Sequence, residues 1–206
     1  RHFRIFKRYD NYPLPQTKII NLNLSKIKNR FISDESIKIV KKFLDKKEQV
    51  LFFLNRRGYA PYLICKNCGY KLICTNCSMY LTFHKKMNKA ICHRCSSEKK
   101  ISSICEKGKI CNFVMYGPGV EKIYEEVKKF FPLSKVEIFS SDYLKKKDHI
   151  HSLFQRIKNN EVNILVGTQM ISKGFNFPKL NCIVVIDADF SGRGYDLRTT
   201  EKNIQL

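Results

Sequence analysis

The sequence is 206 residues long and 43% hydrophobic, which is enough for one substantial core with a small satellite. No apolar run is long enough to cross a bilayer, and no targeting segment is evident. The net charge of +21, from 39 Lys and Arg against 18 Asp and Glu, favours a polyanion such as nucleic acid. A lysine-rich composition set by an AT-rich genome would give the same surplus.

The first third of the chain predicts one helix between two strands. Residues 17–24 alternate in a way that predicts a strand. Ser33 is a candidate N-cap for a helix over 34–47, because Asp34 and Glu35 follow in its first turn. Residues 49–54 form a continuous apolar run, which is typical of a parallel strand buried on both faces.

Residues 55–61 follow that run as a polar turn with the sequence Asn-Arg-Arg-Gly-Tyr-Ala-Pro. In open α/β sheets, ligands bind at the carboxyl ends of the strands. Asn55, Arg56 and Arg57 are therefore candidates for contact with a nucleotide or a nucleic acid. An ordinary solvated loop is the alternative.

Eight of the nine cysteines lie in residues 65–111. Two C-x-x-C pairs can complete a tetrahedral S₄ shell for zinc, and fourteen residues separate the second pair from the third. We therefore expect an inner zinc site formed by Cys74, Cys77, Cys92 and Cys95. The remaining cysteines of the segment predict an outer zinc site formed by Cys65, Cys68, Cys105 and Cys111.

Three other uses of these cysteines compete with zinc. A disulfide framework suits small secreted chains, whereas these cysteines are confined to one segment and the total is odd. Iron fits the same four-thiolate geometry. A thiol redox role would need a separate explanation for each of three adjacent pairs. Because the segment has little apolar periodicity, we expect metal to replace a core over about 62–113.

The remainder of the chain alternates helices with strands. Apolar spacing predicts helices over 119–131 and 144–159, and strands over 136–139, 162–166 and 182–186, with the last strand buried and Cys182 as a small core residue. This order predicts an α/β fold with a parallel sheet and right-handed crossovers. The cysteine segment interrupts that fold after its first strand.

Residues 167–178 directly follow a predicted strand and form a candidate phosphate-binding loop. Gly167 permits a close turn, and we expect Thr168, Gln169 and the next backbone N–H groups to lie at the N-terminus of a short helix. Gly174 and Pro178 end that predicted helix. A βα loop without function is the alternative.

Four pieces of this sequence together resemble the PriA family of primosomal replication-restart DNA helicases. They are the 55–61 turn, the nested C-x-x-C pairs, the Gly-Pro-Gly-Val-Glu stretch at 117–121, and Gly-Thr-Gln-Met-Ile-Ser-Lys-Gly at 167–174 with Phe177-Pro178. The resemblance runs from about residue 9 to the end. It implies a RecA-like second helicase lobe over 49–61 and 114–206, an entry segment over 1–48, and a double zinc-binding insertion over 62–113.

The resemblance also implies roles and partners. Residues 167–178, including Lys173 and Gly174, are similar to helicase motif V, which couples DNA to the nucleotide site, and residues 55–58 are similar to motif IV. The family moves 3′→5′ on single-stranded DNA, hydrolyses ATP with Mg²⁺, and works with primosome and helicase-loading proteins. We therefore expect a bacterial cytoplasmic protein that binds DNA and contacts no membrane.

Two departures from the family qualify these expectations. Where the family has a fourth C-x-x-C pair, position 108 is Gly and the nearest thiol is Cys111, so the fourth outer ligand stays open, with His93 as one alternative. The chain also has no G-x-x-x-x-G-K-[ST] phosphate loop and no arginine-bearing motif VI, so no catalytic site is complete. We expect this chain alone to be inactive. A non-enzymatic zinc module that binds nucleic acid or protein is the alternative function.

Overall fold

A computed structural model of the protein describes residues 15–22, 31–54, 62–85, 87–99, 101, 112–141, 143–144, 147–172 and 176–186. In these residues the elements follow in the order α1 (Asp34–Asp45), β1 (Gln49–Phe53), β2 (Tyr62–Cys65), β3 (Thr82–His84), β4 (Lys89–Ile91), β5 (Glu98–Lys99), β6 (Phe113–Tyr116), α2 (Val120–Phe130), β7 (Val136–Phe139), α3 (Lys147–Lys158), β8 (Ile164–Gly167) and β9 (Leu180–Val185). None of the described helices exceeds 12 residues, and none combines the length and apolar character that a membrane span would need.

The main sheet has four parallel strands in the order β7-β8-β1-β9. Alternate residues of β1, which lies between β8 and β9, face opposite sides of the sheet. Val50 and Phe52 join the core on the side of α1 and α2, whereas Leu51 joins the core on the side of α3. A sheet covered by helices on both faces is the arrangement that the alternation of helices and strands predicts. The predicted α/β fold is therefore confirmed.

Helix α1 begins where a side chain satisfies one of its first backbone N–H groups, whereas α2 begins without such a cap. The hydroxyl of Ser33 accepts a hydrogen bond from the backbone N–H of Ser36 at 3.0 Å, which caps α1. That helix ends at Asp45, two residues earlier than predicted, and Lys46 is its C-cap. Helix α2 follows Gly119, whose extended backbone has no side-chain cap. A buried carboxamide ties α3 to the sheet, because Gln49 donates to the carbonyls of Ile157 and Val162 at 2.8 and 2.9 Å.

Three predicted elements differ from the structure. Residues 17–22, the described part of the predicted 17–24 strand, form no strand, and Ile19 is 92% exposed, because no neighbouring strand pairs with this stretch in the described chain. Helix α3 begins at Lys147 rather than 144. Strand β9 lies at one end of the sheet that the described strands form, so Ile183 and Val185 are more than half exposed although Cys182 is buried as predicted.

The cysteine-rich segment forms two small antiparallel sheets between β1 and α2. Strand β2 pairs with β6, and β3, β4 and β5 form a three-stranded sheet. The expectation that metal replaces a core is wrong in part, because a compact apolar cluster surrounds the inner cysteines. Its main members are Leu63, Leu72, Leu81, Phe83 and Ala90. These residues come from four short arms, and only Leu81 and Phe83 share one, so no sustained helical or strand periodicity reveals the cluster in the sequence.

Candidate metal centre

The three C-x-x-C pairs fold into the same turn. In each, the backbone N–H of the first cysteine donates to the carbonyl five residues later, and its carbonyl accepts from the N–H four residues later, at 2.8–3.0 Å. The residue after the second cysteine has a left-handed backbone, with φ of 68° at Gly69, 57° at Ser78 and 59° at Ser96. Gly fits that conformation without a steric cost and a small polar residue tolerates it. The turn brings two thiols to one side of the chain.

The structure brings the four predicted inner cysteines together. The Sγ atoms of Cys74, Cys77, Cys92 and Cys95 all lie within 4.8 Å of one another. Three of the distances are 3.5 Å for Cys74 to Cys95, 3.3 Å for Cys77 to Cys92 and 3.7 Å for Cys77 to Cys95. These distances are far longer than a disulfide bond of about 2.05 Å. Four sulfurs at a Zn–S distance of about 2.3 Å would lie about 3.8 Å apart, so the donor set fits tetrahedral zinc.

A serine hydroxyl tunes two of these thiols. Ser97 Oγ lies 3.0 Å from Cys74 Sγ and 3.4 Å from Cys95 Sγ. The hydrogen bond with Ser97 lowers the pKa of Cys74 to about 6, and the same hydroxyl lowers the pKa of Cys95. Thiolates are the form that binds a metal ion. The cluster therefore contains two thiols that lose a proton readily.

Cys77 has the opposite tendency. The backbone hydrogen bond from Met79 lowers its pKa, but desolvation and hydrogen bonds with the three neighbouring thiols outweigh that effect and raise the pKa to about 12. Four thiolates at this separation repel one another, so the group shares protons unless a cation neutralises it. The physical chemistry of the cluster thus favours a bound divalent ion.

Only two of the four cysteines predicted for the outer zinc site lie in the described chain. Cys65 is buried and Cys68 is half-buried, and both pack near Tyr70 and Phe113. The other two predicted ligands, at positions 105 and 111, lie outside the described residues. The outer site stays a prediction.

A chain of polar side chains joins the cysteine segment to the main sheet's helix α2. The Nε2 atoms of His84 and His93 are 3.0 Å apart, and Nδ1 of His84 lies 3.6 Å from Oε1 of Glu121. The side chains of His84 and Glu121 are at least nine-tenths buried. At the surface, Lys85 Nζ is 2.6 Å from Glu125 Oε1. His84, the last residue of β3, therefore contacts both His93 and Glu121. The sequence analysis did not predict this contact between the cysteine segment and α2.

The loop after β8 contains two of the predicted contact residues, Thr168 and Gln169. A short helix follows Gly167, as predicted. It is a four-residue 3₁₀ helix, Gln169–Ser172, so the helix dipole at this loop is small. Thr168 is 5% exposed, and its backbone N–H donates to the carbonyl of Phe139. Because Phe53 of β1 pairs with Gly167 of β8, both strands end at the same edge of the sheet. The predicted residues Asn55, Arg56, Arg57, Lys173 and Gly174 lie outside the described chain.

Comparison with known proteins agrees with this geometry. Residues 96–202 match the helicase conserved C-terminal domain, and residues 74–100 match the PriA DNA helicase Cys-rich region (CRR) domain. The chain therefore belongs to the helicase conserved C-terminal domain family, and its cysteine-rich region matches that of the PriA DNA helicases.

Three relatives illustrate the match, and each is named replication restart protein PriA. The protein from Rickettsia conorii is 44% identical over 98% of this chain and 32% of its own length. The one from Haemophilus influenzae is 32% identical over 100% and 28%. The one from Bacillus subtilis is 29% identical over 97% and 25%. The chain thus spans about a third or less of the relatives that it matches.

Proposed function

We propose that this chain is the second motor lobe of an ATP-dependent 3′→5′ DNA helicase that acts in replication restart. The observation that carries the proposal is a parallel four-stranded sheet with a cysteine-rich module inserted between β1 and α2. The match to the helicase C-terminal domain supports it. Work on the bacterial chromosome would place the protein in the cytoplasm, with DNA and the proteins of primosome assembly and helicase loading as its partners.

The proposal divides the chain into three parts. Residues 1–48 are the entry segment, residues 49–61 and 114–206 are the motor lobe, and residues 62–113 are the zinc-binding insertion. Cys74, Cys77, Cys92 and Cys95 would hold one Zn²⁺, and the four-sulfur geometry supports that assignment. Cys65, Cys68, Cys105 and Cys111 would hold a second. Bound zinc would supply a cross-link between arms that share only a small apolar cluster.

The motor role rests on the edge of the sheet where β1 and β8 end. We propose that residues 55–57 and 167–174 contact DNA and the nucleotide there, and the Phe53–Gly167 register supports this, since the chain leaves both strands at one edge. ATP and Mg²⁺ would bind only together with a first lobe, because phosphoryl transfer needs a phosphate loop that this sequence lacks.

The test supplies the first lobe of a PriA relative in trans and measures DNA-stimulated ATP hydrolysis. We expect hydrolysis with the wild-type chain, and a loss of at least tenfold with Arg56→Ala or Thr168→Ala. The chain without the first lobe should hydrolyse no ATP. Activity that ignores both substitutions would favour the alternative, a zinc module that binds nucleic acid or protein without a motor role.

A further inference from the structure

One face of the cysteine-rich module carries aromatic side chains that its core does not use. Residues paired across antiparallel strands point to the same side. The pairs Tyr62 with Tyr116, Ile64 with Lys71, and Ile73 with Tyr80 therefore share one face. Neighbouring residues point the other way. Met115 on β6 is 41% exposed, but those on the other three arms are buried. They are Leu63, Leu72 and Leu81, each at most 5% exposed. We call Tyr62, Lys71, Tyr80 and Tyr116 the tyrosine face.

The geometry of the tyrosine face leaves ring surface in contact with water. The rings of Tyr62 and Tyr80 meet edge to face, with centroids 5.2 Å apart and planes at 85°. Lys71 Nζ lies 5.8 and 5.5 Å from these two ring centroids. Tyr116, opposite Tyr62 in the ladder, is 59% exposed. None of the three rings belongs to the apolar cluster around the cysteines, so that cluster does not account for them.

The charge of residues 62–113 indicates which class of partner the tyrosine face would bind. Residues 62–113 contain ten Lys and Arg residues against two acidic residues, Glu98 and Glu106. Glu98 is already paired with Lys89 at 2.6 Å. A basic surface with accessible aromatic rings fits a polyanion that has flat apolar groups, which is the chemistry of single-stranded nucleic acid. A duplex keeps its base faces stacked and cannot offer them, and an acidic peptide has no need of the rings.

We propose that the tyrosine face is a stacking surface for the bases of single-stranded nucleic acid, with Lys71 close to the backbone phosphates. The proposal deepens the helicase assignment and rests on it for the identity of the strand as DNA. Base stacking on aromatic side chains tolerates any sequence, because every base has a π face. The tyrosine face would therefore hold a strand without regard to its sequence.

The test measures binding of fluorescein-labelled oligo(dT) and of a labelled duplex by anisotropy, with the zinc-loaded 206-residue chain. We expect Tyr116→Leu and Tyr80→Leu each to weaken oligo(dT) binding at least about fivefold, and Tyr116→Phe to bind as the wild type. Tyr124 is a matched control, since it lies outside the module with Lys128 5.2 Å from its ring centroid. Tyr124→Leu should leave oligo(dT) affinity unchanged.

Four further results decide whether the tyrosine face binds single-stranded nucleic acid. Lys71→Gln should reduce the salt dependence of oligo(dT) binding by about one counterion. Wild-type affinity in both leucine variants would overturn the proposal, as would an equal loss for oligo(dT) and duplex. Competition by poly-glutamate as effective as that by unlabelled oligo(dT) would assign the face to an acidic protein instead.

The two proposals fail separately. If ATP hydrolysis with the first lobe never appears while Tyr116→Leu still weakens oligo(dT) binding, the helicase assignment is wrong and the tyrosine face stands. If hydrolysis appears and the leucine variants bind oligo(dT) normally, the tyrosine face is wrong and the helicase assignment stands.

Discussion

Replacing one inner cysteine should unfold the module while the parallel sheet survives. In Cys77→Ser, one of four sulfurs that lie within 4.8 Å of one another is lost. Structural zinc contributes on the order of 10–16 kcal/mol to folding in zinc-finger peptides. Burying the four large apolar side chains of the module's cluster contributes about 6–12 kcal/mol, which is an upper limit. The metal therefore contributes as much as the whole cluster, and the cluster alone cannot replace it.

The assay combines zinc stoichiometry with amide hydrogen exchange. We expect Cys77→Ser to bind one zinc fewer per chain and to lose exchange protection over residues 62–99, with protection retained in β7, β8 and α2. Cys182→Ser is the matched control, since this thiol is buried in the main core and lies outside the cluster. It should keep the wild-type zinc content.

Two outcomes would refute this reasoning. Full zinc content in Cys77→Ser would show that its sulfur is not a ligand. Loss of one zinc with unchanged protection over 62–99 would show that the apolar cluster suffices to fold the module.

Three other changes have defined consequences. Ser97→Ala removes the hydrogen bond that lowers the pKa of Cys74 to about 6 from 9.0. A thiol whose pKa is lowered by folding stabilises the folded form above the unfolded pKa, and this stability is lost as pH falls through the folded pKa. Without Ser97 the pKa of Cys74 is higher, so zinc should be released at a higher pH in the variant. A chromogenic chelator measures the released zinc. Gly167→Ala places a Cβ 3.2 Å from a strand carbonyl and should lower the free energy of unfolding by about 1–2 kcal/mol in urea titration, whereas an unchanged midpoint would mean that the strands shift freely. His84→Leu leaves the buried Glu121 carboxylate without its imidazole neighbour and should cost about 1–3 kcal/mol by the same titration, with the double variant that also carries Glu121→Leu recovering part of the loss.

Local signals in the sequence were enough to predict much of the main sheet. Ser33 with its acidic first turn marks the start of α1, and the apolar run after Glu48 marks the central strand. The strand over 136–139 is confirmed at both ends. These signals are reliable because capping and burial on both faces depend on residues that are neighbours in sequence.

The differences arise where partners distant in sequence decide the structure. The apolar run that ends at Ile186 does not tell whether a further strand will lie beside it. We expected β9 to be buried, but it is the last strand on its side of the sheet among the described residues. Polar and apolar residues alternate over 17–22 as in a strand, but no strand of the described chain pairs with them. The contact between His84 and Glu121 spans 37 positions and exists only because the module folds back on α2.

The inner cysteines show one feature that local signals predict and one that depends on residues distant in sequence. Their spacing predicted which four thiols come together, because each C-x-x-C turn is a local structure with its own hydrogen bonds. The role of Ser97 escaped prediction, because a serine two residues after a cysteine is common and its hydroxyl reaches Cys74 only through the assembled cluster.

The pairing of β2 with β6 means that the chain enters and leaves the cysteine-rich module side by side. Tyr62 and Tyr116 are direct partners across 54 positions, and paired strands lie about 5 Å apart. A short turn could span that gap. The residues between β2 and β6 can therefore increase or decrease in number, or be replaced, without moving these two strands. Such a junction lets an inserted module change while the parallel sheet beside it keeps its structure.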